Sequence, residues 1–334
     1  MAVSIHDVAK KASLSCETIL EALITPSSLE PEIVRFVMKT IRETGYLETF
    51  SRWKTANLGT SVAVVTSMFD SGSFAEVFKG MDRVMSALGL NTSLVAFPTR
   101  FSPAYREDLL RNLQDFARID AVITSNLKPD EETVERFNKA GKPLILMQSS
   151  VTGAQSVQLE NQKGMAIGMN YLYGKGYRDI ALLNGPSSGA EPGSVPGERI
   201  IGYLTAIRRL KLHFDESLVY ETSDYDTDSG FHGFEYFLKR GKMPDAVFCA
   251  SGDMCSIGFI NAAREKGFRI PEDIAVLGYD DLPIASAVTP GLTTIRQRLM
   301  IAGAGALVLA LEACVNGKGE NLVIIPELVV RGSA

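Results

Sequence analysis

The sequence predicts an α/β protein with two doubly wound parallel sheets, preceded by a small all-helical segment. From Ser61 onward, short apolar runs alternate with amphipathic stretches of helical period, which is the pattern of parallel strands joined by crossover helices. Residues 1–45, in contrast, have helical periodicity and no convincing strand. The candidate strands are numerous for one sheet, so we expect two lobes.

The elements of the α/β part alternate regularly along the chain. The runs predicted as strands are 62–66, 92–97, 120–124, 143–147, 179–183, 245–249 and 273–278. The stretches predicted as helices are 74–88, 105–116, 131–140, 163–173, 198–210, 228–240 and 254–266. Open parallel sheets bind ligands beyond the carboxyl ends of their strands, so the cleft between two such lobes is the expected ligand site.

The first 45 residues predict three short helices. A helix over 5–11 is followed by a tight turn, and Ser15 is suited to cap a second helix over 16–23. Pro31 opens a third helix and Gly45 ends it. Three such helices form a helix-turn-helix domain, although a plain three-helix cap on the larger body fits the same pattern.

The composition is that of a globular protein, with 46% hydrophobic and 22% charged residues among 334. The formal net charge is −5, so no overall basic field could hold nucleic acid or an anionic membrane. Four dispersed cysteines and an N-terminus without a signal-peptide pattern lead us to expect a reducing, cytoplasmic location. The apolar stretch 301–311 is too short to cross a bilayer, so we expect no membrane contact.

The chain offers little for catalysis. Residues 185–189 match Gly-x-Ser-x-Gly, the nucleophile elbow of hydrolases, but two prolines extend this segment as a loop where a helix should begin. The last histidine is His232, so none follows to complete a later triad. The sequence has no phosphate-loop or dinucleotide fingerprint, and Cys249 and Cys255 lack partners at zinc spacing. We therefore expect a protein that is not an enzyme and uses no cofactor or metal.

Several motifs occur together in a characteristic order. They are Ser4-Ile5-His6-Asp7-Val8-Ala9-Lys10-Lys11-Ala12 with Ser15-x-x-Thr18-Ile19, Ala181-Leu182-Leu183-Asn184-Gly185-Pro186, Arg199-x-x-Gly202-Tyr203, Gly278-Tyr279-Asp280-Asp281 and Pro290-Gly291-Leu292-Thr293-Thr294-Ile295. With them, the sequence resembles the lactose/galactose repressor family of bacterial transcription regulators over essentially its whole length. A transport binding protein would share the two-lobed core, but it requires export and has no use for a helix-turn-helix.

The resemblance implies a domain order. Residues 1–46 would form a helix-turn-helix headpiece that binds DNA, 47–60 a hinge, and 61–334 a periplasmic-binding-protein-like core that binds an effector. In that fold the chain crosses three times between the lobes, here near residues 160, 290 and 321. The first lobe would hold about 61–160 and 291–321, and the second about 161–290 and 322–334. The core would act as a homodimer, because no further helical repeat follows it.

In the family, the second helix of the headpiece enters the major groove and the hinge contacts the minor groove. The matching DNA-binding positions here are Ser15, Cys16, Glu17, Thr18, Glu21, Arg52, Trp53 and Thr55. Glutamate at 21 replaces the usual arginine, threonine at 55 replaces the wedging leucine, and residues 1–60 hold seven basic and seven acidic side chains. We expect a repressor that binds operator DNA; the alternative is a cytoplasmic ligand sensor that has lost operator binding.

The resemblance also implies an effector site. Its matching positions are Phe69, Ser73, Phe74, Gln148, Arg199, Tyr225, Asp253 and Asp280. Arginine and aspartate bond hydroxyl groups and aromatic faces stack on rings, so a sugar or sugar derivative is the expected effector. Gly252 replaces an asparagine of the family and removes one contact. Closure of the lobes on the effector would change the spacing of two headpieces.

Overall fold

The computed structural model describes residues 2–54, 61–67, 71–99, 102–186 and 193–334, with only the backbone described at positions 52 and 103. The chain divides into two compact units. The first unit contains Met1–Gln158 and Leu299–Ile324, and the second contains Leu159–Arg298 and Ile325–Ala334.

The described helices and strands alternate as the sequence predicts. The helices are α1 Ile5–Ala12, α2 Cys16–Ile24, α3 Pro31–Thr44, α4 Ser51–Lys54, α5 Gly72–Leu88, α6 Pro103–Asp115, α7 Glu131–Ala140, α8 Asn161–Gly174, α9 Val195–Leu210, α10 Thr227–Lys239, α11 Asp253–Glu265, α12 Pro283–Ala287 and α13 Leu299–Asn316. The strands are β1 Ser61–Thr66, β2 Ser93–Pro98, β3 Ala121–Ser125, β4 Leu144–Met147, β5 Gln155–Leu159, β6 Ile180–Asn184, β7 Val219–Glu221, β8 Ala246–Cys249, β9 Ala275–Asp280, β10 Thr293–Arg296, β11 Leu322–Ile324 and β12 Glu327–Val329.

Each unit is built on one six-stranded sheet. The first has the order β11-β5-β4-β3-β1-β2, and the second β12-β10-β9-β8-β6-β7. The pairs from β1 to β5 and from β6 to β10 are parallel, and β12 joins β10 antiparallel. The fold class predicted from the alternation is therefore confirmed. The sequence prediction missed β5, β7, β10, β11 and β12, which are three to five residues long.

The chain passes between the units at 158/159, 298/299 and 324/325. We predicted the second crossing near residue 290, and this position was eight residues too early. The reason is that β10 pairs with β9 in parallel and with β12 in antiparallel, so the Thr293-Thr294-Ile295 segment completes the second sheet.

Helix α13 forms the centre of the first unit. It is long and apolar enough to cross a membrane by length and composition, with a mean hydropathy of 1.9, but 78% of that window is buried inside the protein. Its close contact with α5 depends on glycine, because a Cβ at Gly303 would lie 2.0 Å from the carbonyl oxygen of Val77 and one at Gly80 would lie 1.9 Å from that of Met300. Its single charged residue is Glu312.

The N-terminal helices begin and end where the sequence predicts. The Ser15 hydroxyl accepts a hydrogen bond from the backbone N–H of Thr18 at 3.1 Å, which caps α2. Gly45 ends α3 with a φ of +70°. The predicted hinge, however, is helical as far as Lys54: a 3-10 helix covers Tyr46–Phe50 and α4 follows directly. The rest of the predicted hinge, 55–60, lies outside the described residues.

Candidate functional site

Arg199 is the centre of a polar cluster in the second unit. It belongs to the second turn of α9 and is only 4% exposed. Its Nε donates to Oδ1 of Asn161 at 3.0 Å and its Nη1 to the carbonyl of Ala250 at 2.5 Å. The guanidinium also stacks on the ring of Tyr279, 3.8 Å from its centroid. These contacts hold a planar donor group, with some of its five N–H bonds still available, at the carboxyl edge of the sheet.

Asp280 lies at the carboxyl end of β9, within reach of this arginine. Its Oδ1 is 4.0 Å from Nη2 of Arg199 and accepts a short hydrogen bond from the side-chain amide of Gln297. The backbone has a φ of +116° at Asp280 and +58° at Asp281. Such conformations cost of order 1–3 kcal/mol each in non-glycine residues, and they persist where surrounding contacts enforce them.

Asp281 provides part of that enforcement. Its two carboxylate oxygens accept from Nε of Arg296 at 2.6 Å and from Nη2 of Arg331 at 2.7 Å. The side chain is 6% exposed, so solvent weakens these ion pairs less than it would at the surface. Asp281 therefore anchors the loop that presents Asp280.

Asp253 lies beneath the site and is fully buried. Its Oδ2 accepts from the backbone N–H of Leu282 at 2.7 Å, and its Oδ1 accepts from the hydroxyl of Thr294 at 2.6 Å. Burial, followed by the nearby charge of Asp280, raises the pKa of Asp253 well above its ordinary value. The carboxyl group therefore fastens the loop after β9 to β10, and its direct contact with an effector stays a prediction.

Tyr225 closes this edge of the sheet from the loop before α10. Its ring packs on Gly185, where a Cβ would lie 2.6 Å from Cε1 of the tyrosine. Burial is the main factor that raises the pKa of Tyr225 to about 12, so its hydroxyl is neutral near pH 7. The buried Oδ1 of Asn184 and Oε1 of Gln297 have no hydrogen-bond partner among the described residues. Buried polar atoms of this kind are places where a ligand or water completes the bonding.

The effector-binding residues predicted in the first unit lie on different elements. Ser73 and Phe74 are in the first turn of α5, after β1. Phe74 is 8% exposed and its ring lies 5.8 Å from that of Phe78, so it is largely a packing residue. Gln148 follows β4 with a φ of +63°. Phe69 lies outside the described residues.

The residues predicted to contact DNA lie mainly on α2 and are only partly accessible. Cys16, Glu17, Thr18 and Glu21 are half-buried, whereas Ser15 is exposed. Nearby groups already bond two of these side chains: the Thr18 hydroxyl lies 3.0 Å from that of Ser15, and Oε1 of Glu21 accepts from the hydroxyl of Ser28 at 2.8 Å. The side chain at position 52 and all of Thr55 lie outside what the structure describes.

Trp53 does not have the position that the hinge prediction required. The side chain is fully buried in the first unit, 6.5 Å from the ring of Phe50. Its carbonyl accepts from the backbone N–H of Asn91 at 2.7 Å, just beyond α5. An aromatic side chain of this size gains more from such burial than from exposure at a hinge, so in this conformation Trp53 cannot serve as a minor-groove wedge.

A contact surface that the sequence did not predict covers α2. The helix buries Ile19, Leu20, Ala22, Leu23 and Ile24. At 3.6 residues per turn these five positions cover about 200° of its circumference, about twice the width of one apolar stripe. The reason is that α2 contacts α1 and α3 within the N-terminal segment and also α5 and α13 of the first unit.

Glu312 connects the N-terminal segment to α13. Its Oε1 accepts from the backbone N–H of Ile5 at 2.7 Å and from the hydroxyl of Tyr46 at 2.8 Å. The residue is 5% exposed, and burial raises the pKa of its carboxyl to about 8. No sequence motif indicated this contact; the one signal was an acid within an otherwise apolar helix.

The comparisons with known proteins agree with this architecture. A family model described as a periplasmic binding protein-like domain matches residues 169–334. The HTH-type transcriptional repressor CytR of Escherichia coli (strain K12) is 27% identical over 340 residues, which cover 99% of this chain and 96% of that protein.

Two solved structures are similar over most of their length. A complex of the transcriptional regulator CelR with cellobiose has a TM-score of 0.70 and 26% identity, covering 99% of this chain and 100% of that one. A dimeric Lac repressor with an 11-residue C-terminal deletion has a TM-score of 0.72 and 25% identity, covering 82% and 98%. These relatives are transcriptional regulators and not enzymes. With its N-terminal helices and its pair of parallel sheets, the chain belongs to the lactose/galactose repressor (LacI) family of transcriptional regulators.

Proposed function

We propose that the protein is a cytoplasmic, homodimeric repressor that binds operator DNA through its N-terminal helices and a carbohydrate effector through its second unit. The observation that carries the effector part is the buried guanidinium of Arg199, fixed by Asn161 and Ala250 beside the carboxylate of Asp280. Donors and an acceptor fixed side by side suit neighbouring hydroxyl groups, each of which both donates and accepts.

The surroundings of Arg199 favour a neutral, ring-shaped ligand of this class. Tyr225 offers an aromatic ring with a protonated hydroxyl, and Asn184 and Gln297 offer buried acceptor atoms. The related CelR structure contains cellobiose, which supports the carbohydrate class. We assign Arg199, Asp280, Tyr225, Gln297 and Asn184 as contact residues in the second unit, and Asp253 as the residue that positions Asp280.

Calorimetric titration of the full-length protein with cellobiose and glucose tests the effector. A ligand that binds the folded protein raises its melting temperature, so a thermal-shift screen with the same sugars comes first. Arg199→Lys keeps the positive charge but loses the planar guanidinium and its several N–H donors. We therefore expect sugar affinity to fall by about 10–100-fold. The matched control is Arg209→Ala, since Arg209 is exposed on the same helix. Equal affinity in the two variants would contradict the assignment.

Fluorescence anisotropy with the DNA upstream of the protein's own gene tests the operator part. Because binding to phosphates releases counterions, specific binding should weaken steeply as salt rises. The sugar that binds in the titration should change the DNA affinity of wild type and leave that of Arg199→Lys unchanged. A protein that binds the sugar but no upstream DNA would instead be a ligand sensor that has lost its operator.

A further inference from the structure

Residues 2–54, here called the N-terminal module, are fastened to the first unit at points spread along the whole module. At its start, the backbone of Ala2 exchanges two hydrogen bonds with the amide of Asn316, of 3.0 and 2.9 Å. At its end, the carbonyl of Trp53 accepts from the N–H of Asn91. Between them, the carboxyl of Glu312 holds both α1 and the 3-10 helix that follows α3.

The second helix takes part in this attachment directly. Leu20 is fully buried, and its Cδ1 lies 3.3 Å from the position that a Cβ on Gly305 of α13 would occupy. At the C-terminal end of α2, Nη1 of Arg83 donates to the carbonyl of Ile24 at 3.2 Å. This carbonyl lacks an intrahelical partner because it belongs to the last turn, so α5 completes its bonding.

The residues on this side of α2 form a docking face, which consists of Cys16, Leu20 and Ile24. They recur every four positions, so they lie one above another on the helix. A helix that reads DNA bonds base edges with polar side chains from its outer face. The docking face instead carries two aliphatic side chains and a half-buried thiol, which are suited to an apolar surface of the protein itself, and the half-buried Glu17 and Glu21 lie beside it.

We infer that the structure is a closed state in which the docking face of α2 is bound to α5 and α13, so that the module must leave the first unit before α2 can enter a DNA groove. This inference rests on the proposed DNA-binding function. DNA affinity is then the affinity of the open state multiplied by its population, which makes the intramolecular contact a regulatory element. The surface that covers the docking face belongs to the same chain and is formed by α5 and α13.

A reversible cross-link tests the inference. Ala2→Cys with Asn316→Cys places two thiols where the amide of Asn316 already reaches both backbone groups of Ala2. A disulfide at position 2 fastens the start of the module without changing α2, and the end of the module is bonded to the first unit through the carbonyl of Trp53. Asn316→Cys alone is the matched control, and mass spectrometry identifies the bond.

The readout is anisotropy with the upstream DNA, in oxidised and reduced protein. We expect the oxidised double variant to bind at least about tenfold more weakly than its reduced form, and the control not to respond to reductant. Equal DNA affinity in the oxidised and reduced double variant would overturn the inference, because the closed state would then be competent to bind DNA.

Amide hydrogen exchange separates this inference from the proposed function. In wild type, we expect slow exchange at Ile5 and over residues 20–24, and in Glu312→Ala faster exchange over the whole module with the second unit unchanged. Glu312→Gln keeps an acceptor oxygen and should stay slow. If none of the proteins binds the DNA, the operator proposal fails for that DNA. Even then, slow exchange in wild type that becomes fast in Glu312→Ala would support the docking of the module on the first unit. Fast exchange in wild type would overturn the inference.

Discussion

Glu312 in the first unit and Asp253 in the second are two buried carboxyl groups with nearly the same bonds. Each accepts one hydrogen bond from a backbone N–H, that of Ile5 or that of Leu282, and one from a hydroxyl group. Burial raises the pKa of both carboxyl groups. A buried acid is costly unless its bonds are made, so each marks a place where the fold requires a specific attachment.

The two acids differ in what they attach. The partners of Asp253 lie 29 and 41 residues away, within the second unit, so this acid shapes the loop that presents Asp280. The partners of Glu312 lie 307 and 266 residues away, so this acid holds a whole module on the first unit. The same chemistry therefore serves a binding site in one region and a docked domain in the other.

Removing the longer-range attachment should have the largest effect on stability. Glu312→Ala leaves the N–H of Ile5 and the hydroxyl of Tyr46 without their acceptor and creates a cavity, so we expect the free energy of unfolding of the first unit to fall by about 3 kcal/mol. Urea unfolding measures this loss. Sugar affinity at the second unit is the internal control and should not change. A loss below about 1 kcal/mol would mean that Glu312 is not a principal attachment.

Removing the shorter-range attachment should act mainly on binding. Asp253→Ala frees the N–H of Leu282 and the hydroxyl of Thr294, and the loop that presents Asp280 loses its support. We expect affinity for the sugar identified with wild type to fall by about tenfold, with about 2 kcal/mol lost from the second unit. Calorimetry measures the first quantity and urea unfolding the second. Unchanged exchange in the N-terminal module is the control, and unchanged sugar affinity would contradict a positioning role for Asp253.

The docking of the N-terminal module should also depend on pH, through the carboxyl of Glu312. The carboxyl of Glu312 has a pKa of about 8 when docked, against an ordinary 4.5, so the docked state holds its proton more tightly. The contribution of Glu312 to docking is therefore fully present below about pH 4, and about 1.4 kcal/mol of it is lost per pH unit as the pH rises, until the loss levels off above about pH 8. Exchange over residues 20–24 should accelerate accordingly from pH 5 to pH 8, after correction for the intrinsic rate.

The groups that face Glu312 do not titrate in this window. Burial raises the pKa of Tyr46 well above its ordinary value and that of Cys16 to about 11, whereas hydrogen bonds from Ser4 lower the pKa of Asp7. Glu312→Gln has no proton to lose, and it should therefore abolish the pH dependence. Persistence of that dependence in the glutamine variant would assign it to another group.

The comparison also shows which features can be predicted from a sequence. The cap at Ser15 and the end of α3 at Gly45 depend on neighbours within a few residues, so local rules were sufficient. Arg199 and Asp280 were predicted in a different way, because the motifs that contain them resemble those of the lactose/galactose repressor family. The structure places them together at the same edge of the second sheet.

Other features depend on contacts between distant segments. The attachment at Glu312 joins residues about 300 positions apart, and no periodicity in either segment records it. Leu20 fits a helix-turn-helix and a docking face equally well until its neighbours on α13 are known. Trp53 was misplaced for the same reason, because a buried aromatic and an exposed wedge have the same local sequence. Asp253 was predicted to contact the effector, whereas its two observed side-chain bonds are to the backbone of Leu282 and the hydroxyl of Thr294.

The smallest and most closely matched changes remove one hydroxyl from each acid. Tyr46→Phe and Thr294→Val keep the shape of the side chain and delete one donor, and each should cost about 1 kcal/mol of unfolding free energy in its own unit. Because the bond from Tyr46 lowers the pKa of Glu312, its loss should also extend the pH-dependent weakening of docking to higher pH. Thr294→Val should instead weaken sugar binding and leave exchange in the N-terminal module unchanged. The Tyr46 hydroxyl donates to Glu312, and the Thr294 hydroxyl donates to Asp253. If both variants changed sugar binding, or if both changed exchange in the N-terminal module, the two acids would not serve separate regions.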